Sequence, residues 1–204
     1  MKTILQVNSS LNGAAGHSSR LADALVAWLR EAHPEAQLVV RDLARDPVPH
    51  LDAERFGAFL SQARSPAQQA VAAYSDRLIA ELKCADVIVL GVPMYNFGVP
   101  SQFKAWIDHV ARAGVTFRYT EKGAIGLLTG KKAYVVATRG GVYAGTRTDS
   151  ETPYLRQMLG FLGIRDVAFV YAEGLALGEA SKDTALAAAR DAIHRIAPEA
   201  LVSA

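Results

Sequence analysis

"DVIVLGVPMYNFGVPSQFKAW", residues 86–106, passes from one local pattern to a second and then a third. Asp86 to Val92 has strand character, with the apolar run Val87, Ile88, Val89 and Leu90 within it. Met94 to Gly98 is a loop that holds a thioether, a phenol, an amide and a phenyl ring with no charge among them. From Ser101 to Arg112, Phe103, Trp106, Ile107 and Val110 follow the i, i+3, i+4, i+7 rule of an amphipathic helix, with Ser101 as the expected N-cap. The order strand, loop, helix sets the question of whether the rest of the chain repeats it.

It does so in both directions. Lys2 to Val7 reads as a first strand, and Ser18 to Glu31 as a helix with Leu21, Leu25, Trp28 and Leu29 on one face, closed by His33-Pro34. Gln37 to Arg41 is a short second strand. The stretch from Asp42 to about Pro66 is too long for an ordinary connection, and a short helix is expected over Ala53 to Gln62. Pro66 opens a long helix to about Leu82, a position proline suits, and that helix leads into the quoted third strand. Beyond the quoted stretch, Gly114 to Gly130 is punctuated by glycine and contains "VTFRYTEKG". Ala133 to Thr138 is a fourth strand ending in Arg139-Gly140-Gly141. Pro153 to Leu162 is helical with Gly163 as C-cap, Val167 to Tyr171 is a fifth strand, and Ser181 to Ile196 is an alanine-rich closing helix. Alternating strands and helices define the α/β class. Five strands interleaved with helices predict a doubly wound parallel sheet of order 2-1-3-4-5. With 204 residues, a single domain over 1–204 is expected.

Composition removes several classes of function. Half the residues are apolar and 21% charged, and no apolar stretch approaches the roughly 18 residues of a membrane span, so no membrane role is expected. The chain enters its first strand without a basic segment or leader, and Cys84 is the only cysteine. Both features lead to the expectation of a cytoplasmic protein without disulfide or cysteine-rich metal site. Net charge is +2, with no dense basic run beyond Lys131-Lys132, so nucleic acid is not an expected partner.

In such a sheet, ligands bind beyond the carboxyl ends of the strands where the winding reverses, here between strands one and three. Three loops meet there. The first, from Asn8 to Ser19, is rich in hydroxyls and small residues and runs into a helix whose free N–H groups favour an anion. It matches neither G-x-G-x-x-G nor the P-loop pattern, and suits a phosphate monoester such as that of FMN. Standing alone, it reads better as an ordinary polar N-cap through Ser18 or Ser19. The second, Pro93 to Gly98, offers Met94, Tyr95 and Phe97 for dispersion and stacking, with N–H groups between Tyr95 and Phe97 for a ring nitrogen or carbonyl. An isoalloxazine has that shape. The third contributes Gly140 and Gly141, which let backbone approach a planar ligand, with Thr138 or Arg139 as further donors; alone it reads equally as a plain turn.

With "PMYNF", "ARAGVTFRYTEKG" and "RGG" in place, the chain closely resembles the FMN-dependent NADH-azoreductase family of flavodoxin-like quinone reductases over nearly its whole length. The resemblance implies a flavodoxin-like three-layer sandwich that binds FMN. It places the phosphate on Ser10, Gly16, His17 and Ser18, and the ring system on Pro93, Met94, Tyr95, Asn96 and Phe97 together with Thr138, Arg139, Gly140 and Gly141. Thr138 stands where serine is commoner in that family, and His17 where glutamine is, and both keep a hydrogen-bonding side chain. The resemblance further implies a ping-pong cycle in which NADH or NADPH donates two electrons through the flavin to quinones, azo compounds or nitroaromatics. The flavin carries the chemistry and no catalytic side chain is assigned. Tyr119 becomes a candidate wall of the substrate site; Phe161 is a second candidate, although its place at a helix end favours the core. A homodimer is implied, with active sites that borrow residues across the interface and with the helix after the MYNF loop as a contributor.

Other readings have less to rest on. A flavodoxin-type one-electron carrier shares the topology, but such carriers are strongly acidic for docking. A phosphoacceptor receiver domain would need an aspartate where Val92-Pro93-Met94 stands. Acyl-carrier phosphodiesterase activity would need metal ligands that are not clustered here. Neither G-x-S-x-G nor His-Glu-x-x-His occurs. His109, beside Asp108 in a helix, reads as a partly exposed polar residue rather than a proton donor.

Overall fold

A computed structural model of the chain describes residues 2–196. The expected domain, 1–204, includes residues 1 and 197–204, which lie outside the described residues. The elements run β1 (Thr3–Asn8), α1 (His17–Ala32), β2 (Gln37–Asp42), α2 (Ala53–Leu60), α3 (Pro66–Cys84), β3 (Val87–Pro93), α4 (Ser101–Val110), β4 (Phe117–Thr120), β5 (Gly123–Gly126), β6 (Lys132–Thr138), α5 (Glu151–Leu162), β7 (Asp166–Ala172) and α6 (Glu179–Ile196). Five strands form one parallel sheet of order β2-β1-β3-β6-β7, the predicted 2-1-3-4-5 once the separate β4–β5 hairpin is set aside.

β3 lies at the centre and is buried at every residue. Alternate side chains point to opposite faces. Ile88 and Leu90 pack with Leu78, Leu82, Phe103, Trp106, Leu155 and Leu159 of α3, α4 and α5. Val87 and Val89 pack with Leu21, Leu25 and Leu29 of α1 and with Ala189 and Ile193 of α6. These two apolar layers produce the three-layer sandwich. Close approach of α1 to β3 depends on Gly91, where a Cβ would lie 3.0 Å from the Asn8 Oδ1 and 3.2 Å from the Ser18 carbonyl.

Two expectations change on α4. Pro100 precedes the helix, and no side chain caps it, so Ser101 is not the N-cap. The stripe of Phe103, Trp106, Ile107 and Val110 is no more than 2% exposed, so it is core, as its spacing suggests. His109 is also buried: its Nε2 lies 3.0 Å from the Pro49 carbonyl, and its ring meets Phe59 and Tyr74 edge-on. Burial, only partly offset by the contact with Pro49, holds its pKa below the usual histidine range. His109 thereby ties α4 to the long 42–66 segment, whose Leu43 and Val48 are buried in the same core.

The glycine-punctuated stretch after α4 forms the β4–β5 hairpin, which rests on the end of α5 backbone to backbone. A Cβ on Gly126 would lie 2.1 Å from the Gly163 nitrogen, and the Leu128 amide donates to the Leu162 carbonyl at 2.8 Å. Gly163 caps α5 in the left-handed conformation, as expected from its position. No helix among the described residues is long and apolar enough to cross a membrane.

Candidate active site

The carboxyl ends of β1, β3 and β6 open onto one cavity, lined by Ser10, Asn12, Gly16, His17, Ser18, Pro93, Met94, Tyr95, Thr138, Arg139, Gly140 and Leu175. Ten of the thirteen residues that the sequence suggests as ring or phosphate contacts are among these; Asn96 and Phe97 follow Tyr95 in the chain, and Gly141 follows Gly140.

At one end the chain leaves β1, turns through a 3-10 segment at Gly13–Ala15, and enters α1 with Gly16 as N-cap. Ser18 and Ser19 lie inside the helix and do not cap it. The amides of the first helical turn point out of its N-terminus without intrahelical partners. The hydroxyls of Ser18 and Ser19 are buried and make no hydrogen bond among the described residues. A buried hydroxyl without a partner costs about 1–3 kcal/mol, so a ligand oxygen that met Ser18 would relieve that cost. Gly16 has no steric alternative, because a Cβ there would stand 2.1 Å from the Ser10 Oγ and 2.6 Å from the Ser10 Cβ.

At the other end Tyr95 and Gly98 bridge each other, N–H to carbonyl in both directions, at 2.9 and 3.0 Å. The two residues between them, Asn96 and Phe97, both have left-handed backbone, with φ of 50° and 62°. Left-handed geometry at both central positions is the requirement of a type I′ turn, which asparagine tolerates and phenylalanine rarely adopts. Phe97 is held there with its ring edge-on to Tyr143 at 5.4 Å and its carbonyl accepting from the Ser150 hydroxyl. The Tyr95 hydroxyl accepts from the Leu11 amide at 3.2 Å, so the first and second loops brace each other. Met94 donates its amide to the Thr138 carbonyl at 2.9 Å, which joins the second loop to the third.

Arg139 departs from its expected part. Its amide donates to the Ala172 carbonyl at 2.9 Å, and its guanidinium is fully buried, bonded to Asp149, Glu151, Glu173 and the Thr152 hydroxyl. The side chain is therefore not a donor to a ligand in the cavity. Burial opposes its charge, but the bond to Asp149 and the facing carboxylates outweigh it and raise its pKa further. Gly140 and Gly141 lend their carbonyls to the Ala176 and Gly174 amides at 3.0 and 2.8 Å, while their own N–H groups make no hydrogen bond among the described residues.

Tyr119 and Phe161 lie apart from this cavity. Tyr119 stands 73% exposed on the hairpin, and Phe161 packs against buried Phe117 with ring centroids 4.3 Å apart. Two lining residues were not singled out from the sequence. Asn12 lies within the first loop, and Leu175 follows β7, whose carboxyl end reaches the same rim. No group of His, Cys, Asp or Glu is arranged to hold a metal ion among the described residues.

A family model described as the flavodoxin-like fold matches residues 2–197. The chain belongs to this family. Within it, an FMN-dependent NADH:quinone oxidoreductase of Alcanivorax borkumensis is 57% identical over 189 residues, covering 92% of this chain and 96% of that protein. FMN-dependent NADH:quinone oxidoreductase 6 of Burkholderia lata is 56% identical over 195 residues, covering 95% and 98%. Among solved structures, the FMN-dependent NADH-azoreductase of Bacillus anthracis in complex with FMN superposes with a TM-score of 0.85 at 26% identity, covering 97% of this chain and all of that one. A further structure of an azoreductase from Bacillus anthracis reaches a TM-score of 0.89, also at 26% identity, covering 98% of this chain and all of that one.

Proposed function

We infer that the protein is an FMN-dependent oxidoreductase that takes electrons from NADH, or NADPH, and delivers them to quinones, with aromatic azo and nitro compounds as further acceptors. The observation that carries this reading is the buried Ser18 hydroxyl, without a hydrogen-bond partner among the described residues, at an α1 N-terminus that no side chain caps, in a cavity whose far end is walled by Met94, Tyr95 and Gly140. A mononucleotide with a phosphate at one end and a flat, partly apolar tricycle at the other suits both. Relatives at 56–57% identity over nearly the whole chain, named as FMN-dependent NADH:quinone oxidoreductases, support the same choice.

Bound FMN would supply two-electron transfer from donor to acceptor, in ping-pong order. The chain's own tasks are to bind and orient. Ser10, Gly16, His17 and Ser18 would hold the phosphate, with the α1 dipole favouring its charge. Pro93 to Phe97 would line the ring system, and the unengaged amides of Gly140 and Gly141 would offset negative charge at its edge. Nothing in this scheme asks for a nucleophile. Exposed Tyr119 and Ile125 on the hairpin, with Leu127 just after it, favour a homodimer in which Tyr119 walls the substrate site of one subunit or the other. Phe161, beneath the hairpin, would support that wall.

Titration of purified protein with FMN, followed by NADH and then benzoquinone, tests the reading directly. Uptake at micromolar flavin, bleaching by NADH and recovery with quinone are expected, and methyl red in place of quinone tests the azo substrates. Flavin uptake without NADH oxidation would favour the one-electron carrier. Sedimentation of a monomer with undiminished turnover would defeat the homodimer.

A further inference from the structure

Flavin binding alone does not account for three carboxylates gathered around one arginine beneath the ring end of the cavity. Arg139 bonds Asp149 at 3.0 Å, Glu173 at 3.1 Å and Glu151 at 3.2 Å, with its guanidinium over the Tyr171 ring at 5.2 Å. Three ionised acids around one cation would leave an uncompensated negative charge where solvent is excluded, which is strongly unfavourable. Glu151 halves this excess: burial pushes its carboxyl up to about 7, and its second oxygen makes no hydrogen bond among the described residues.

The other two carboxylates hold backbone. Glu173 Oε1 accepts from the Tyr143 and Ala144 amides at 2.8 and 2.9 Å, and Asp149 accepts from the Gly145 and Thr152 amides at 3.4 and 3.0 Å. Three consecutive amides of the strap after Gly141 are thus bound by acids that are themselves bound by Arg139. The strap has no helix or strand geometry to keep it in place. Its near end is the Gly140-Gly141 pair, where a Cβ on Gly141 would lie 2.6 Å from the Tyr143 hydroxyl. Its Tyr143 ring supports Phe97 in the strained turn opposite.

We propose that the side chains of Arg139, Asp149, Glu151 and Glu173 form a positioning unit for the ring end of the FMN site, which sets the Gly140 and Gly141 amides and the Phe97 wall without those side chains touching the ligand, Glu173 being the member that transmits this to the strap. The inference rests on the FMN reading above. It is tested in the full chain with Glu173→Ala and Glu173→Gln, by fluorescence titration with FMN and with riboflavin and by the two-electron midpoint potential of bound FMN. Glu173→Ala is expected to weaken FMN and riboflavin by the same factor, about 10-fold or more, because the disturbed end is the one both ligands share. Since the glycine amides favour negative charge, reduced flavin should lose about tenfold more than oxidised, a fall of roughly 30 mV in potential. Glu173→Gln keeps an acceptor for the Tyr143 and Ala144 amides and should restore most of the affinity.

Unchanged affinities and potential in Glu173→Ala, whatever its melting temperature, would overturn the positioning role while leaving the FMN reading intact. Wild-type protein that takes up no FMN would overturn both. If Glu173→Ala does not fold, amide hydrogen exchange in the wild type decides: slow exchange at Tyr143 and Ala144 without flavin supports the unit, and exchange at solvent rates overturns it.

Discussion

At the α1 end of the cavity the ligand-facing donors belong to a helix, and their positions follow from its own hydrogen bonds. At the β6 end, donors of the same kind sit on an irregular strap whose shape is imposed by buried charge. The contrast has a consequence for conditions. A helix terminus keeps its geometry as long as the helix persists, whereas a strap held by carboxylates responds to anything that changes their charge. One ligand would then be gripped at one end by local structure and at the other by tertiary electrostatics.

The sharpest way to break that contrast is Arg139→Met. It removes the cation shared by three acids and should lower stability by about 3–5 kcal/mol at pH 8, measured by urea unfolding, with the deficit shrinking toward pH 5 as the acids take up protons. A deficit independent of pH would mean that packing, not charge, holds the strap.

Next in size is the effect of Glu151. Its folded pKa of about 7 lies above its ordinary value of 4.5. The folded state therefore holds a proton that the unfolded chain releases, and stability from this group is full below 4.5 and lost as pH rises through 7. The loss amounts to about 3 kcal/mol, and Glu151→Gln should flatten it. Asp149 has the opposite sign: although burial pushes its pKa up, its bonds to Thr152 and Arg139 outweigh this and leave it lowered, so its contribution disappears only in stronger acid. Stability curves of wild type and Glu151→Gln from pH 4 to 8 separate the two.

On the helix side, Gly16→Ala should weaken FMN by at least ~100-fold, about 2.7 kcal/mol, because its Cβ collides with Ser10. Ser18→Ala is gentler and more telling. Its hydroxyl makes no hydrogen bond among the described residues, so apo stability should hold or rise slightly. FMN affinity should fall about 10-fold. Riboflavin, which lacks the phosphate, should bind as before, and an equal loss for both ligands would misplace the phosphate. Smallest of all, Phe97→Gly removes a left-handed phenylalanine and should raise stability by up to about 1 kcal/mol. FMN affinity should drop a few-fold as the wall is lost.

Much of this architecture can be read from periodicity. Alternating strand and helix patterns predict the sheet order, and the three loops at the ends of strands one, three and four do meet. Local chemistry is read less well where two donors compete. Ser18 and Ser19 look like caps in isolation, yet Gly16 takes that place because only a residue without Cβ clears Ser10. His109 looks exposed beside Asp108, but the 42–66 segment folds over it, which no helical spacing signals. The charge cluster is the least legible. Arg139, Asp149, Glu151 and Glu173 come from three separate stretches, and the spacing of one says nothing of the others. A lone Arg-Gly-Gly suggests a donor to a ligand until the acids that claim its side chain are placed beside it.

The seat of the β4–β5 hairpin carries a last implication. Because Gly126 and Gly163 touch with no room for a methyl group, the base of the hairpin can neither slide nor swell, while its tip at Glu121 and Lys122 is open to solvent. Natural variation in length should gather at that tip and avoid the root. A peptide tag or fluorophore grafted between those two residues should ride on the arm like a flag on a fixed pole, reporting where Tyr119 goes without disturbing the domain beneath.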